Sequence, residues 1–286
     1  MSGCQPDNLT CGTTSHEPPS RFALMNPLVT AWLQASDAFA QTVAQIPDSD
    51  FDRPSLLPGW TVGDIVAHTA ALEVELSGEP LPAHEPDWEA LPHADDLFSR
   101  YTEIGVDYRR GWTPSEVRAE LAEAFATRAE QLTSGPQDTD VRVMGVGGIE
   151  RSLGRVLRMR CFDIFLHDLD IRDALEMPVP ELGDGARVTA GLMADSFGYV
   201  WVKRAGAVPG DVLHFVVPDW IDAWVGVGED GRGALVEPSS AQVTITMQPL
   251  DFLRLGSGRR GDPARAVIEG DEARAAAVLA GLNVAP

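Results

Sequence analysis

The stretch from Arg158 to Leu175 limits most sharply what this chain can fold into. Cys161, Phe162, Ile164, Phe165, Leu166, Leu169 and Ile171 make it an apolar, helix-forming run, and Asp163 and His167 are set inside it. Residues four apart on a helix lie on one face, one turn above the other. The carboxylate and the imidazole therefore come near enough to share one small object, such as a divalent cation. The helix is expected from about Arg151 to Leu175, ending ahead of Pro178, because the residue before a proline is driven out of helical geometry.

Other segments show the same periodicity. From Pro27 to Ile46, Leu28, Val29, Trp32, Leu33, Phe39, Val43 and Ile46 recur at helical spacing. A turn at Leu56 to Trp60 leads into a second helix, with Thr61 as N-cap and Asp64 three residues on. His68 falls on the stripe of Asp64, Ile65 and Leu72 and so faces inward. Pro80, Pro82, Pro86 and Pro92 turn the next segment into a long connection, whose His84 and His93 are expected to face solvent. Helices follow over about 95–110 and, opened by Thr113 and Pro114, to about Leu132. The glycine-rich segment 138–150 lacks the pattern of a phosphate or dinucleotide loop and is expected to be a connection.

After Pro178 the pattern changes. A helix over about 185–203 precedes strand-like runs at 212–217, 223–227 and 243–247, a short helix near 249–255, a run at 266–270 and a last helix. The expected fold class is α+β: a flexible tail over 1–22, a helical bundle over 23–177 and a smaller α+β domain over 178–286.

A net charge of −21, from 43 acidic and 22 basic residues, repels nucleic acid and anionic membranes, so both are discounted as partners. Cys4, Cys11 and Cys161 form no disulfide framework and no C-x-x-C pair, which fits a reducing cytoplasm. Neither a signal peptide nor an apolar run of the roughly 20 residues a membrane span needs is expected. Cys161, two positions before Asp163, points elsewhere on its helix and reads as a buried structural residue.

Two histidines and one carboxylate are the ligand set of catalytic zinc sites that keep a fourth position open, and His68, Asp163 and His167 would supply it. A structural ion pair accounts better for Asp163 and His167 taken alone. The inward histidine on a second helix is what adds weight to the metal. Asp170, three residues from His167, is placed to accept a hydrogen bond from its ring, and Asp168 to pair with Arg172.

The run Leu57-Pro58-Gly59-Trp60-Thr61-Val62 leading to His68, with Arg160-Cys161-Phe162-Asp163 leading to His167-Asp168-Leu169-Asp170-Ile171-Arg172, resembles the maleylpyruvate isomerase family of mycothiol-dependent enzymes. That family belongs to the DinB-like metalloproteins. Arg254-Leu255-Gly256-Ser257-Gly258-Arg259-Arg260 and Ile268-Glu269-Gly270-Asp271 are similar to the second domain of those enzymes, which in turn resembles a sterol-carrier fold. The resemblance implies a DinB-like four-helix bundle followed by a smaller α/β sandwich. It also implies a divalent metal, zinc, on His68, Asp163 and His167, with mycothiol as cosubstrate and a small electrophile as substrate. Asp163 stands where the isomerases carry glutamate; it is one methylene shorter, which leaves open a different reaction. Arg259, and after it Arg260, match an arginine of the second domain that faces the metal, with the implied role of holding an anionic substrate or enolate. Three readings follow: a metal- and thiol-dependent isomerase or S-transferase, a hydrolase of the DinB-like group acting through metal-activated water, and a non-catalytic module that binds an apolar ligand.

Overall fold

Apolar residues at helical spacing put Trp32, Phe39 and Val43 on the buried face of α1 (Pro27–Gln45), whose first turn is closed by the Asn26 side chain accepting from Leu28 N. The computed structural model describes residues 25–284; the tail expected over 1–22, with Cys4 and Cys11, lies outside the described residues. Helix α2 (Val62–Ser77) opens with the expected Thr61/Asp64 capping box, and α4 (Pro114–Ser134) with one made by Thr113 and Glu116. Between them lies α3 (Leu97–Arg109), capped by Asp96. The glycine-rich segment is more than a connection. It folds as a short hairpin, β1 (Arg142–Met144) against β2 (Glu150–Ser152), which runs straight into α5 (Leu153–Leu175). Three-residue strands are too short to leave an alternation in the sequence, so the pattern carries no sign of the hairpin.

Helices α1, α2, α4 and α5 pack around one core that includes Trp32, Phe39, Ile65, Leu121, Leu157 and Ile164. A second core lies beyond α5. There a five-stranded sheet runs in the order β5-β4-β3-β6-β7, made of β3 (Val212–Val217), β4 (Ile221–Val227), β5 (Gly233–Leu235), β6 (Val243–Thr246) and β7 (Val267–Gly270). β3 and β6 are parallel and the other neighbours antiparallel, with Phe215 facing Ala223 on one side and Ile245 on the other. Leu213, Phe215, Val217, Val225 and Ile245 turn inward against α6 (Asp184–Ala194), α8 (Pro249–Gly256) and α9 (Glu272–Gly281). The architecture is α+β, as expected.

The single helix expected over 185–203 is broken. After α6 the chain turns at Asp195 and Ser196, continues as α7 (Phe197–Tyr199) and widens through Val200–Arg204. Phe197, Val200 and Trp201 all stay buried, so the break bends the helix around the core rather than away from it. Gly198 lies directly on the Gly233 backbone, and a Cβ on either would collide with the other strand of chain. The absence of side chains there lets β5, which the sequence pattern did not reveal, dock on the turn.

Helix α5 belongs to both cores. Leu157, Cys161, Ile164 and Ile171 face the helical one, while Phe162, Phe165, Leu166 and Leu169 face the sheet side. A helix buried on two sides carries apolar residues on both, and the charged side chains set among them, such as Arg160, Asp168 and Asp170, are buried in ion pairs. Among the described residues, no helix is long and apolar enough to cross a membrane.

One polar cluster sits inside the helical core. Glu73 on α2, fully buried, accepts from Arg160 Nε at 2.8 Å and Trp32 Nε1 at 3.3 Å and faces Arg128 Nε at 3.5 Å. Glu73→Ala would take the shared carboxylate from two buried guanidinium groups, and we expect it to destabilise the fold by about 3–5 kcal/mol. A urea titration of the purified variant measures the loss; a midpoint equal to that of the native protein would contradict it.

Candidate metal centre

His68 reaches the centre of the molecule because the cap at Thr61 fixes where α2 begins and so which face His68 occupies. Trp60, just ahead of the cap, lays its ring 4.9 Å from the His68 ring and 6.0 Å from that of His167. Its Nε1 donates to Glu103 Oε2 at 2.8 Å, a carboxylate on α3 that is 1 % exposed. The same oxygen meets His93 Nε2 at 3.1 Å. His93 therefore does not face solvent as expected; it lines the cavity over His68, and Gly59, at φ +77°, makes room for its ring, which a Cβ would overlap. His84, also expected in solvent, is half-buried on Asp107 at 2.7 Å. Prolines made that segment read as a bare loop, but both histidines found carboxylates on α3.

From α5 come Asp163 and His167. Asp163 Oδ1 stands 3.4 Å from His68 Nε2 and 3.5 Å from His167 Nε2, and one ligand atom from each of the three lies within 4.8 Å of the others. The other carboxylate oxygen, Oδ2, is taken by Arg160 Nη1 at 2.7 Å. On the far side of His167, Nδ1 meets Asp170 Oδ2 at 3.1 Å. Asp170 in turn holds Arg259 in a fork, Oδ1 to Nε at 2.7 Å and Oδ2 to Nη2 at 2.8 Å. Arg259 also donates Nη1 to Ser257 O at 3.2 Å. Arg260 does not join it and lines a different cavity. Asp168 pairs with Arg172 at 3.1 Å, and Cys161 is buried, its thiol pushed up to about 12 chiefly by that burial. Neither takes part in the cluster.

The charges are set by burial against partners. Burial drives the His68 imidazole down, only partly offset by Asp163. For His167 burial acts the same way, but Asp163 and Asp170 outweigh it and raise the ring to about 9. Burial would lift Asp163, yet Arg160 and the two imidazoles hold it well below the usual carboxylate range. Asp170 is likewise lowered, its burial outweighed by His167 and Arg259.

The donor set fits a divalent cation. Four ligands at 2.0–2.1 Å around a tetrahedral ion stand about 3.3–3.4 Å apart. That is near the two separations from Asp163 Oδ1 to the imidazole nitrogens, which exceed the range of a good hydrogen bond. Each donor's second heteroatom is either occupied or shut away: Arg160 on Asp163, Asp170 on His167, and His68 Nδ1 buried without a partner. Asp163, though shorter than glutamate, spans the gap to both rings. A cavity of about 350 Å³ opens on the three, lined also by Trp60, Leu166, His93 and Arg259. A small molecule entering it meets the two imidazoles, one carboxylate oxygen and one guanidinium together.

Residues 32–172 match the family described as the mycothiol maleylpyruvate isomerase N-terminal domain. No curated protein matches the chain in sequence. Among solved structures, a crystal structure of the mycothiol-dependent maleylpyruvate isomerase superposes with a TM-score of 0.53 at 17 % identity, over 85 % of this chain and 91 % of that one. A histidine-to-alanine mutant of that isomerase superposes over the same shares with a TM-score of 0.52 and 17 % identity. These likenesses show the fold, and they run past the N-terminal match into the sheet half.

The Asp170–Arg259 fork can be tested without any metal. In a double-mutant cycle of Asp170→Ala and Arg259→Ala, unfolded in the presence of a chelator, we expect a coupling of about 1–3 kcal/mol. Additive single-variant losses would mean that the fork does not hold the two halves.

Proposed function

The chain belongs to the maleylpyruvate isomerase family through its residues 32–172, and from that premise we propose that it is a mycothiol-dependent enzyme whose divalent metal, zinc, sits on His68, Asp163 and His167. The observation that carries the reading is the convergence of three donor atoms from two helices, within 4.8 Å of one another, at the floor of a cavity. A cation bound there would supply the Lewis acidity that turns a thiol of pKa about 8.5 into a thiolate at neutral pH.

The chain's own residues do the rest. Asp170 accepts from His167 Nδ1–H, so that a cation taking the place of the Nε2 proton would meet a lone pair facing Asp163 and His68. Arg160 holds Asp163 by Oδ2, so that Oδ1 alone is presented. Two neutral imidazoles and one carboxylate leave one net positive charge on the ion, which favours an incoming thiolate over a neutral ligand. Trp60 and Leu166 wall the cavity and keep bulk water from the sulfur. Arg259 lies on the same wall and holds the negative charge that develops on the substrate as sulfur adds to its electron-poor carbon. Addition to a conjugated double bond moves the π electrons to the carbonyl oxygen; rotation about the new single bond and loss of the thiolate give the other isomer. If the enolate instead takes a proton from water and the sulfur stays, the product is a thioether, so isomerase and S-transferase share this first step.

Native protein is expected to carry one equivalent of metal, and His68→Ala and His167→Ala to lose it together with turnover, as read by elemental analysis. Adding mycothiol to the cobalt-substituted protein should produce a sulfur-to-cobalt charge-transfer band. A cobalt site indifferent to mycothiol would point to the hydrolase instead, and protein that takes up no metal to a binding module.

A further inference from the structure

A second cavity, of about 480 Å³, meets the first at Leu72, Phe98, Met159 and Asp163, which line both. Its outer wall comes from the β1–β2 hairpin and from Leu97 at the start of α3. Two independent features mark it. Its rim leaves large apolar side chains in water: Leu97 is 90 % exposed, Phe98 59 % and Ile149 49 %. Clustered exposure of this kind is found at ligand-binding grooves and other interaction surfaces, and here it rims a cavity.

The second feature is charge. Arg151 and Arg155 both line this cavity, and among the described residues neither side chain has an ion pair, a hydrogen bond or an aromatic partner. Their neighbours along the chain are engaged, Arg142 with Glu150, Arg158 with Asp195 and Arg160 with Glu73 and Asp163. In a chain with 43 acidic and 22 basic residues, two free guanidinium groups at one opening are a local reversal of sign. Deeper in, the buried Arg160 also lines the cavity and has one nitrogen, Nη2, without a partner. Arg155, Met159 and Asp163 are four apart in succession, so they form one stripe of α5. Arg155 stands about 12 Å along the helix from Asp163.

We infer that this cavity seats the electrophilic substrate, and that the substrate is an elongated organic anion with an apolar body. Its carboxylate lies between Arg151 and Arg155, its body runs over Leu97, Phe98 and Met159, and its reactive carbon ends at Asp163, where the two cavities join. A small, fully polar dianion gains little from such a wall, because its length leaves the apolar rim uncovered. The assignment of the bound anion as substrate depends on the thiol-dependent function proposed above; the anion seat itself does not.

The test uses octanoate and its neutral counterpart octanamide, titrated calorimetrically into metal-loaded and chelator-treated protein. Octanoate is expected to bind both forms, and the double variant Arg151→Gln, Arg155→Gln to weaken it about tenfold or more, since charge-assisted hydrogen bonds are lost. Octanamide should change less than about twofold between native and variant, because only the charge-assisted component differs. Equal binding of acid and amide to the native protein, or octanoate affinity unchanged in the variant, would overturn the seat whatever the metal does. The variant's cobalt–mycothiol band separates the two claims. If the band is absent from native and variant alike while octanoate still depends on the arginines, the anion seat stands and the thiol-dependent function falls.

Discussion

A guanidinium shut between two helices sets the geometry of the centre. Arg160, 3 % exposed, reaches Glu73 on α2 with Nε and Asp163 on its own helix with Nη1. An arginine buried without partners costs several kcal/mol, so the helical core closes favourably only with both carboxylates in place. That requirement selects one register of α2 against α5. His68 lies five residues before Glu73 on α2, and the selected register is the one that brings it opposite Asp163 and His167. The contact that stabilises the core and the contact that builds the site are thus a single arrangement.

From Asp163 the chain of contacts runs outward to the sheet half. His167 is oriented by Asp170, Asp170 is gripped by Arg259, and one turn further on Asp173 takes Arg254 in a second fork at 2.6 Å. Both arginines belong to α8 and the turn after it. The ring of a helical-half histidine therefore depends on residues more than eighty positions away. A helix that faces two cores, as α5 does, is well suited to carry such a site, since neither side of it can shift without disturbing packed apolar residues.

What the sequence disclosed was what local chemistry controls. The caps at Thr61 and Thr113, the apolar stripes of α1, α2 and α5, and the alternation in β3 and β6 all act within a few residues of themselves, and the elements lie where those signals put them. Hidden features depended on partners far along the chain. The Arg259 side chain could be matched to a motif, but its grip on Asp170, 89 positions away, has no local trace. His93 read as a loop residue because its partner, Glu103, looked like any acid on an amphipathic helix. Glu73 was silent for the same reason: periodicity marks a face as inward but does not say that a charge there has two arginines waiting.

The shorter carboxylate at position 163 bears on both cavities. Glutamate, as the family resemblance implies for this position, would project one methylene further from α5. Aspartate still comes within 3.4 and 3.5 Å of the two imidazoles, because Arg160, three residues earlier, draws its other oxygen back along the helix and leaves Oδ1 facing inward. The donor atoms consequently lie nearer the α5 backbone. The volume given up by the missing methylene falls where Asp163 lines both cavities at once, between the walls of Met159 and Phe98. In the proposed function the shorter side chain keeps the donor triangle closed and leaves room beside it, which is what the proposed longer, more apolar electrophile would need to reach the same three atoms.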